Sequence, residues 1–346
     1  MEIPIKNIFY LLSYAWNKLE EADKLEISLA DYDDALNLLS RILVSGSNHI
    51  LKKGLDKSYR SVTEEYPGIK GKIDFKASLT KNLFKQGKAV CTFDEFSSNV
   101  LHNQILKSVL RRLTKVDAID AKMKKDIWDC YYRFAGVDEI EVQLNHFSKT
   151  KIHRNNYEYD FLLKVAKLII ENSVLNEEEG KYYFKDFVRN EKAMAALFES
   201  FVKNFYAKEQ SKYKVRREDI QWFAEPLLES NLELLPKMQT DITLEALNHK
   251  IIIDTKYYKE TLVTNYEKER FHSNNLYQIY AYVSNIEKNS SNPNNINCEG
   301  MLLYPTVQKE VNATYQMGNH KMRIATVDLS KNWREIHSRL LEIISA

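Results

Sequence analysis

The chain has 346 residues, 44% hydrophobic and 28% charged, with only 9 Gly and 6 Pro, which excludes collagenous, loop-rich and disordered proteins and suits about two packed domains. Its 50 basic and 48 acidic residues create no whole-protein field, so any nucleic-acid contact must come from local patches. Three distant Cys without a C-x-x-C pair (Cys91, Cys130, Cys298) argue against a zinc ribbon, an iron–sulfur cluster or a disulfide framework and fit a reducing cytoplasm.

From the N-terminus, apolar residues at helical spacing (Ile5, Ile8, Leu11, Leu12, Ala15, Leu19) predict a helix over 5–20. Pro4 sits where a first-turn proline is tolerated. The segment lacks a basic leader and a small-residue cleavage site, so it reads as an amphipathic helix and not as a signal peptide. No run approaches the roughly 18 apolar residues of a membrane span, and the expected location is the cytoplasm. A second helix is predicted over 33–53. Between Lys57 and Phe96, RSVTEEY, KIDFKASL and KAVCTFDEF are short runs separated by turn signals and predict a small antiparallel sheet. Helices follow over 98–115 and 119–135, and the polar stretch 148–160 is the expected junction between domains 1–150 and 151–346.

Beyond the junction, helices are predicted over 158–174 and 190–211 and a strand over 218–228. A hairpin (237–246 with 249–257), a helix (273–287), an asparagine-rich loop (290–297), strands at 299–304 and 322–328 and a helix at 332–344 complete the chain. This order predicts an α/β (α+β) class, with a mixed helix/antiparallel-sheet domain followed by a mixed-sheet domain.

The chemistry concentrates in the hairpin. Ile251, Ile252 and Ile253 read as a buried strand that ends in Asp254-Thr255-Lys256. Strand side chains alternate, so Asp254 and Lys256 share a face. With Leu247-Asn248 as the two-residue loop, Asp241 falls opposite Asp254, Cβ atoms about 5 Å apart. Such a pair repels unless a cation sits between them, and Mg²⁺ commonly takes one or two carboxylates plus water and substrate phosphate. Lys256 would orient or deprotonate the attacking water, or neutralise charge developing on phosphorus. Phosphodiester hydrolysis needs this arrangement.

Glu199, on the predicted helix 190–211, offers a further acid. Gln278 and Tyr282 fall at i and i+4 on one helix face, where they either contact a DNA backbone or brace the lysine. A second D-x-K, at Asp74 in Lys72-Ile73-Asp74-Phe75-Lys76, lacks the triple-Ile run and the helix behind it. A solvated strand end is the competing reading of either D-x-K. Lys203, Lys208, Lys212, Lys214, Arg216 and Arg217, interleaved with Tyr206 and Tyr213, read either as a phosphate-tracking patch or as a solvated helix end balanced by Glu209, Glu218 and Asp219. The closest approach to a phosphate-binding G-x-x-x-x-G-K-[ST] loop, Gly68 to Lys72, is two residues too short.

An acid, an acid-x-lysine and then Q-x-x-x-Y on the next helix resemble the PD-(D/E)xK nuclease superfamily, with Thr240-Asp241 in place of Pro-Asp. IPIKNIFYLLSYAW (3–16), IKGKIDF (69–75) and TFDEFSSNVLHNQILKSVLRRL (92–113) are together similar to the McrC family, nuclease subunits of McrBC-type modification-dependent restriction systems. The resemblance spans nearly the whole chain. It implies a restriction-endonuclease-like C-terminal domain and a Mg²⁺-dependent endodeoxyribonuclease acting on double-stranded, methylcytosine-type DNA. The resulting site set is Asp241, Asp254, Lys256, Glu199 and Gln278 for catalysis, and Asp241, Asp254 and Thr255 for the metal. Lys212, Lys214, Arg216, Arg217 and Tyr282 are the expected DNA contacts. The N-terminal domain, with Lys72 and Asp74, is implied to bind a McrB-like AAA+ hexamer, which binds the GTP and whose GTPase it stimulates. A second copy of the chain is expected in the cleavage complex, and no membrane. Two rivals stay open: a non-catalytic regulator of the AAA+ motor and a stand-alone RecB-like exonuclease.

Overall fold

The computed structural model describes residues 3–19, 34–153, 156–176, 181–227, 232–257, 262–265, 268–288, 292–306 and 310–345. The parts of the expected elements at 20, 33, 154–155, 228 and 290–291 lie outside the described residues. The chain divides into two compact units, one from Leu36 to Lys185 and one that joins the N-terminal helix to the chain from Asp186 onward. The boundary therefore falls at Lys185/Asp186 and not at 150/151.

In the Leu36–Lys185 unit, strands β1 (Ser58–Pro67), β2 (Lys72–Ile73) and β3 (Lys88–Ser97) form an antiparallel sheet in the order β1-β3-β2. The expected strand KIDFKASL is mostly helical. Only Lys72 and Ile73 pair with β3, and Phe75–Thr80 is a helix. The reason is Asp74, whose side chain accepts from Ala77 N at 2.9 Å and caps that helix, a role aspartate fills better than a ladder position. Helix Leu101–Leu113 packs against Ala121–Tyr132 and Glu158–Glu171, burying Leu106, Val109, Leu110, Ile127, Val165 and Ile169. A short helix, Leu144–Lys149, interrupts the expected polar junction, and β4 (Ser173–Asn176) and β5 (Lys181–Phe184) make a hairpin.

The other unit has strands β6 (Lys214–Arg216), β7 (Asp219–Ile220), β8 (Met238–Gln239), β9 (Ile242–Glu245), β10 (Lys250–Thr255), β11 (Leu262–Asn265), β12 (Lys268–Phe271), β13 (Glu299–Thr306), β14 (Asn312–Met317) and β15 (His320–Asp328). Six of them make a mixed sheet in the order β14-β15-β13-β10-β9-β6. β10, β13 and β15 run parallel, and the outer pairs are antiparallel. A parallel step between β10 and β13 requires a crossover, which the helix Ser273–Lys288 supplies. Its Ile279, Val283 and Ile286 pack with Ile252, Leu302 and Ile324 of the sheet, while Glu191–Glu209 also contacts β10. Coverage on both faces is why β10 reads as an unbroken Ile run.

The expected strand 218–228 reduces to β7. The chain after it is held by side chains instead, Trp222 Nε1 donating to Pro236 O at 2.7 Å and Phe223 N to Asn285 Oδ1 at 2.8 Å. Strands β6, β11, β12 and β14, with β4 and β5 of the other unit, are additions to the sequence reading. For β14 the signal was Gly318-Asn319, a two-residue hairpin loop with Gly318 at φ +61° between β14 and β15.

The helix Ile5–Ala15 belongs to this unit because its aromatic face finds partners here. Tyr10 stacks on Trp333 of the helix Trp333–Ser345 with ring centroids 4.6 Å apart, and Tyr14 lies 5.5 Å from the Phe205 ring. Asn204 Nδ2 donates to the C-terminal carbonyls of Tyr14 and Ala15 at 3.0 and 2.9 Å, and Asn7 Nδ2 donates to Leu329 O at 2.7 Å. Among the described residues, no helix is long and apolar enough to cross a membrane.

Candidate active site

Ala246 N donates to His249 O at 2.8 Å, closing the Leu247-Asn248 loop. The ladder runs from Glu245↔Lys250 to Ile242↔Ile253, so the next position sets Asp241 across from Asp254, in the register read from the sequence. There the regular pairing stops. Thr255 N and Oγ1 both donate to Asp241 Oδ2, at 2.8 and 2.9 Å. Asp254 is 1% exposed, at the centre of the sheet beside Leu302 of β13.

Lys256 follows directly after β10, its backbone N donating to Leu303 O at 3.0 Å. Its Nζ lies 2.7 Å from Asp254 Oδ2 and donates to Gln278 Oε1 at 2.9 Å. Gln278 Nε2 in turn donates to Tyr282 OH at 2.8 Å. Alternation along the strand thus puts Asp254 and Lys256 on one face, and the i, i+4 helix pair reaches the lysine. Of the two readings open for Gln278 and Tyr282, the geometry selects bracing.

Burial pushes the Asp254 carboxyl up to about 6, Asp241 adds to that rise, and the Lys256 ammonium opposes it. Burial also raises the Tyr282 phenol, against the hydrogen bond from Gln278, and the two aspartates add to the rise. The site therefore concentrates negative charge where water does not screen it. Asp241 Oδ2 accepts both Thr255 bonds, and Asp254 Oδ2 is buried beside the Lys256 ammonium with no hydrogen-bond donor among the described residues. Two hard carboxylates in a site crowded with negative charge match what Mg²⁺ takes from a protein. The donor set fits the ion.

The predicted site residues do not all converge. Glu199 pairs with Arg217 instead of joining the aspartates, and among the described residues no three His, Cys, Asp or Glu side chains form a metal-holding group. The helix Glu191–Glu209 turns that carboxylate toward the end of β6, where a guanidinium awaits it. Arg216 is likewise engaged, by Glu218 at 3.2 Å and Glu245 at 2.8 Å. These two arginines are therefore ion-paired within the unit, and Arg217 stays exposed beside its partner. Tyr282 is 7% exposed and packs in the core, so it is no surface DNA contact. Lys212 and Lys214 are exposed, with Lys212 Nζ 4.8 Å above the Tyr213 ring. Lys72 and Asp74 are exposed on the Leu36–Lys185 unit, and Asp74 is the helix cap described above.

Sequence reasoning missed Thr240 and gave Thr255 a different part. Thr240 N donates to Glu218 O at 2.9 Å, and Glu218 N donates to Thr240 Oγ1 at 2.9 Å. The signal available was the departure from Pro-Asp itself, since proline has no N–H to donate.

A mixed sheet whose central hairpin brings two aspartates and a lysine to the glutamine of its crossover helix defines an α/β protein with one acidic site at the end of a buried strand. Residues 5–305 match the family described as McrBC 5-methylcytosine restriction system component. The type IV methyl-directed restriction enzyme EcoKMcrBC of Escherichia coli (strain K12) is 33% identical over 341 residues, covering 99% of this chain and 97% of that protein. The chain belongs to the McrBC 5-methylcytosine restriction system component family. Its fold is also that of a chain in the refined half-complex from the tetradecameric assembly of Thermococcus gammatolerans McrB AAA+ hexamers with bound McrC. That match has a TM-score of 0.59 and 15% identity, over 98% of this chain and 76% of the other.

Proposed function

We propose that this chain is the Mg²⁺-dependent endodeoxyribonuclease subunit of a GTP-driven restriction complex directed at methylcytosine-type DNA. The observation that carries the reading is the convergence of Asp241, Asp254, Lys256 and Gln278 at the end of one buried strand. Bound Mg²⁺ would supply charge neutralisation at the scissile phosphate and activation of the attacking water. Asp241 and Asp254 would hold the ion. Lys256, ion-paired with Asp254 and aimed by Gln278, donates toward the oxygen on which negative charge develops. Tyr282 holds Gln278 from below, so the lysine keeps its direction.

The motor is assigned to a McrB-like AAA+ hexamer. Support comes from the family membership and from the lack of a phosphate-binding loop in this sequence. The Leu36–Lys185 unit, with exposed Lys72 and Asp74, is proposed to dock on that partner and stimulate its GTPase, and the partner to bind the GTP. One such site breaks one strand, so a double-strand break calls for a second copy of the chain in the cleavage complex.

The test pairs the chain with its AAA+ partner, GTP and Mg²⁺, and follows plasmid cleavage and GTP hydrolysis together. Lys256→Ala is expected to slow cleavage by about 10²–10³-fold while GTPase stimulation stays at the wild-type level. Wild-type chain that stimulates GTPase but never cuts would establish the regulator-only alternative. Degradation of linear ends without GTP would establish the exonuclease.

A further inference from the structure

Asp241 lies one residue beyond the last ladder pair, Ile242↔Ile253, so sheet pairing does not hold it. The carboxylate torsion of aspartate is broad and roughly two-fold, and a second acid faces it across the hairpin. Repulsion would turn Asp241 away from Asp254 unless something restrained it. Thr255 supplies the restraint, with two donors on the same oxygen, Oδ2. Hydrogen bonds to a carboxylate are among the stronger ones, and two on one oxygen leave the group little rotational freedom.

The backbone on the other side is fixed as well. Thr240 is 1% exposed, its Oγ1 is 3.0 Å from Thr243 Oγ1, and it exchanges two bonds with Glu218. Glu218 is itself anchored by the buried Lys250 Nζ at 2.8 Å. The stem that carries Asp241 is therefore rigid, and the remaining freedom is the rotation that Thr255 stops.

We propose that the Thr255 hydroxyl is a positioning group: it holds Oδ2 of Asp241 so that Oδ1 stays available to a cation shared with Asp254. Thr255 then acts through Asp241 and touches neither substrate nor ion with its side chain. The inference rests on the metal-dependent reading of the site.

The experiment measures Mn²⁺ binding to the full-length chain alone, by the loss of the free-ion paramagnetic resonance signal, for wild type, Thr255→Val, Thr255→Ser and Asp254→Ala. Valine keeps the shape and the backbone N–H and removes only the hydroxyl donor. Thr255→Val is expected to bind Mn²⁺ about tenfold more weakly, the scale of one lost hydrogen bond to a charged group, with Thr255→Ser restoring most of the difference. In cleavage assays with the AAA+ partner, the Mg²⁺ concentration for half-maximal rate should rise by a similar factor, while the rate at saturating Mg²⁺ stays near wild type. Unchanged thermal unfolding of metal-free Thr255→Val would confirm that the loss is local. Wild-type Mn²⁺ affinity in Thr255→Val, or failure of serine to restore it, overturns this proposal alone. Wild-type affinity in Asp254→Ala overturns the metal site and the proposal with it.

Discussion

Asp254→Asn is expected to abolish DNA cleavage and, in EDTA, to make the protein more stable. The carboxyl of Asp254, raised by burial from 3.8 to about 6, binds its proton more tightly in the folded chain than in the unfolded one. Stability of the metal-free protein therefore falls as pH rises between about 4 and 6, and above about 6 the full cost of the buried charge is present. A shift of about two units corresponds to about 3 kcal/mol, less what Lys256 loses when its partner becomes neutral. Asparagine removes that cost, so the gain should be about 1–3 kcal/mol at pH 8 and close to nothing at pH 4. Urea midpoints in EDTA at the two pH values measure it. An asparagine variant less stable than wild type at pH 8 would show that Asp254 is satisfied without a cation. Bound Mg²⁺ favours the ionised form, so cleavage should weaken as pH drops below about 6 and recover with added Mg²⁺.

Lys250→Met should produce the largest loss of stability, about 3 kcal/mol by urea denaturation. Lys250 is 1% exposed, and its Nζ meets both oxygens of Glu218, at 3.0 and 2.8 Å, and Asn295 Oδ1 at 2.7 Å. Removing one partner of a buried pair leaves the other charge without compensation, which commonly costs about 3–5 kcal/mol. Here Arg216 stays on Glu218 and the Glu218 side chain is 20% exposed, which sets the expectation at the lower end. The double variant with Glu218→Gln should recover part of the loss, and the coupling energy from the four proteins gives the strength of the pair. A cost below about 1 kcal/mol for the single change would mean that water reaches the ammonium. Because Glu218 also clamps Thr240, reduced cleavage should accompany the lost stability.

Expectation and structure part according to the range of the interactions involved. The hairpin register was legible because a two-residue loop and an Ile run are local signals, and Asp254 and Lys256 share a face by the period of the strand alone. Gln278 and Tyr282 were legible as a pair for the same reason, as successive turns of one helix. Glu199 was not. Its partner, Arg217, lies at the end of a three-residue edge strand whose position depends on β9 and on the helix Glu191–Glu209 together. A run of six basic residues looks alike in sequence whether its charges face solvent or carboxylates.

By itself, the sequence determined the class, the hairpin register that sets Asp241 across from Asp254, the shared face of Asp254 and Lys256, and the family the chain resembles. These depend on periodicity and spacing, which a single chain carries in full. The tertiary structure decided which helix belongs to which unit, that Asp74 caps a helix, that Tyr282 braces from the core, and that Thr255 restrains Asp241. Each of those depends on what a side chain meets from a distant part of the chain or at a broken ladder position, and burial, capping and ion pairing are settled only once the elements have packed.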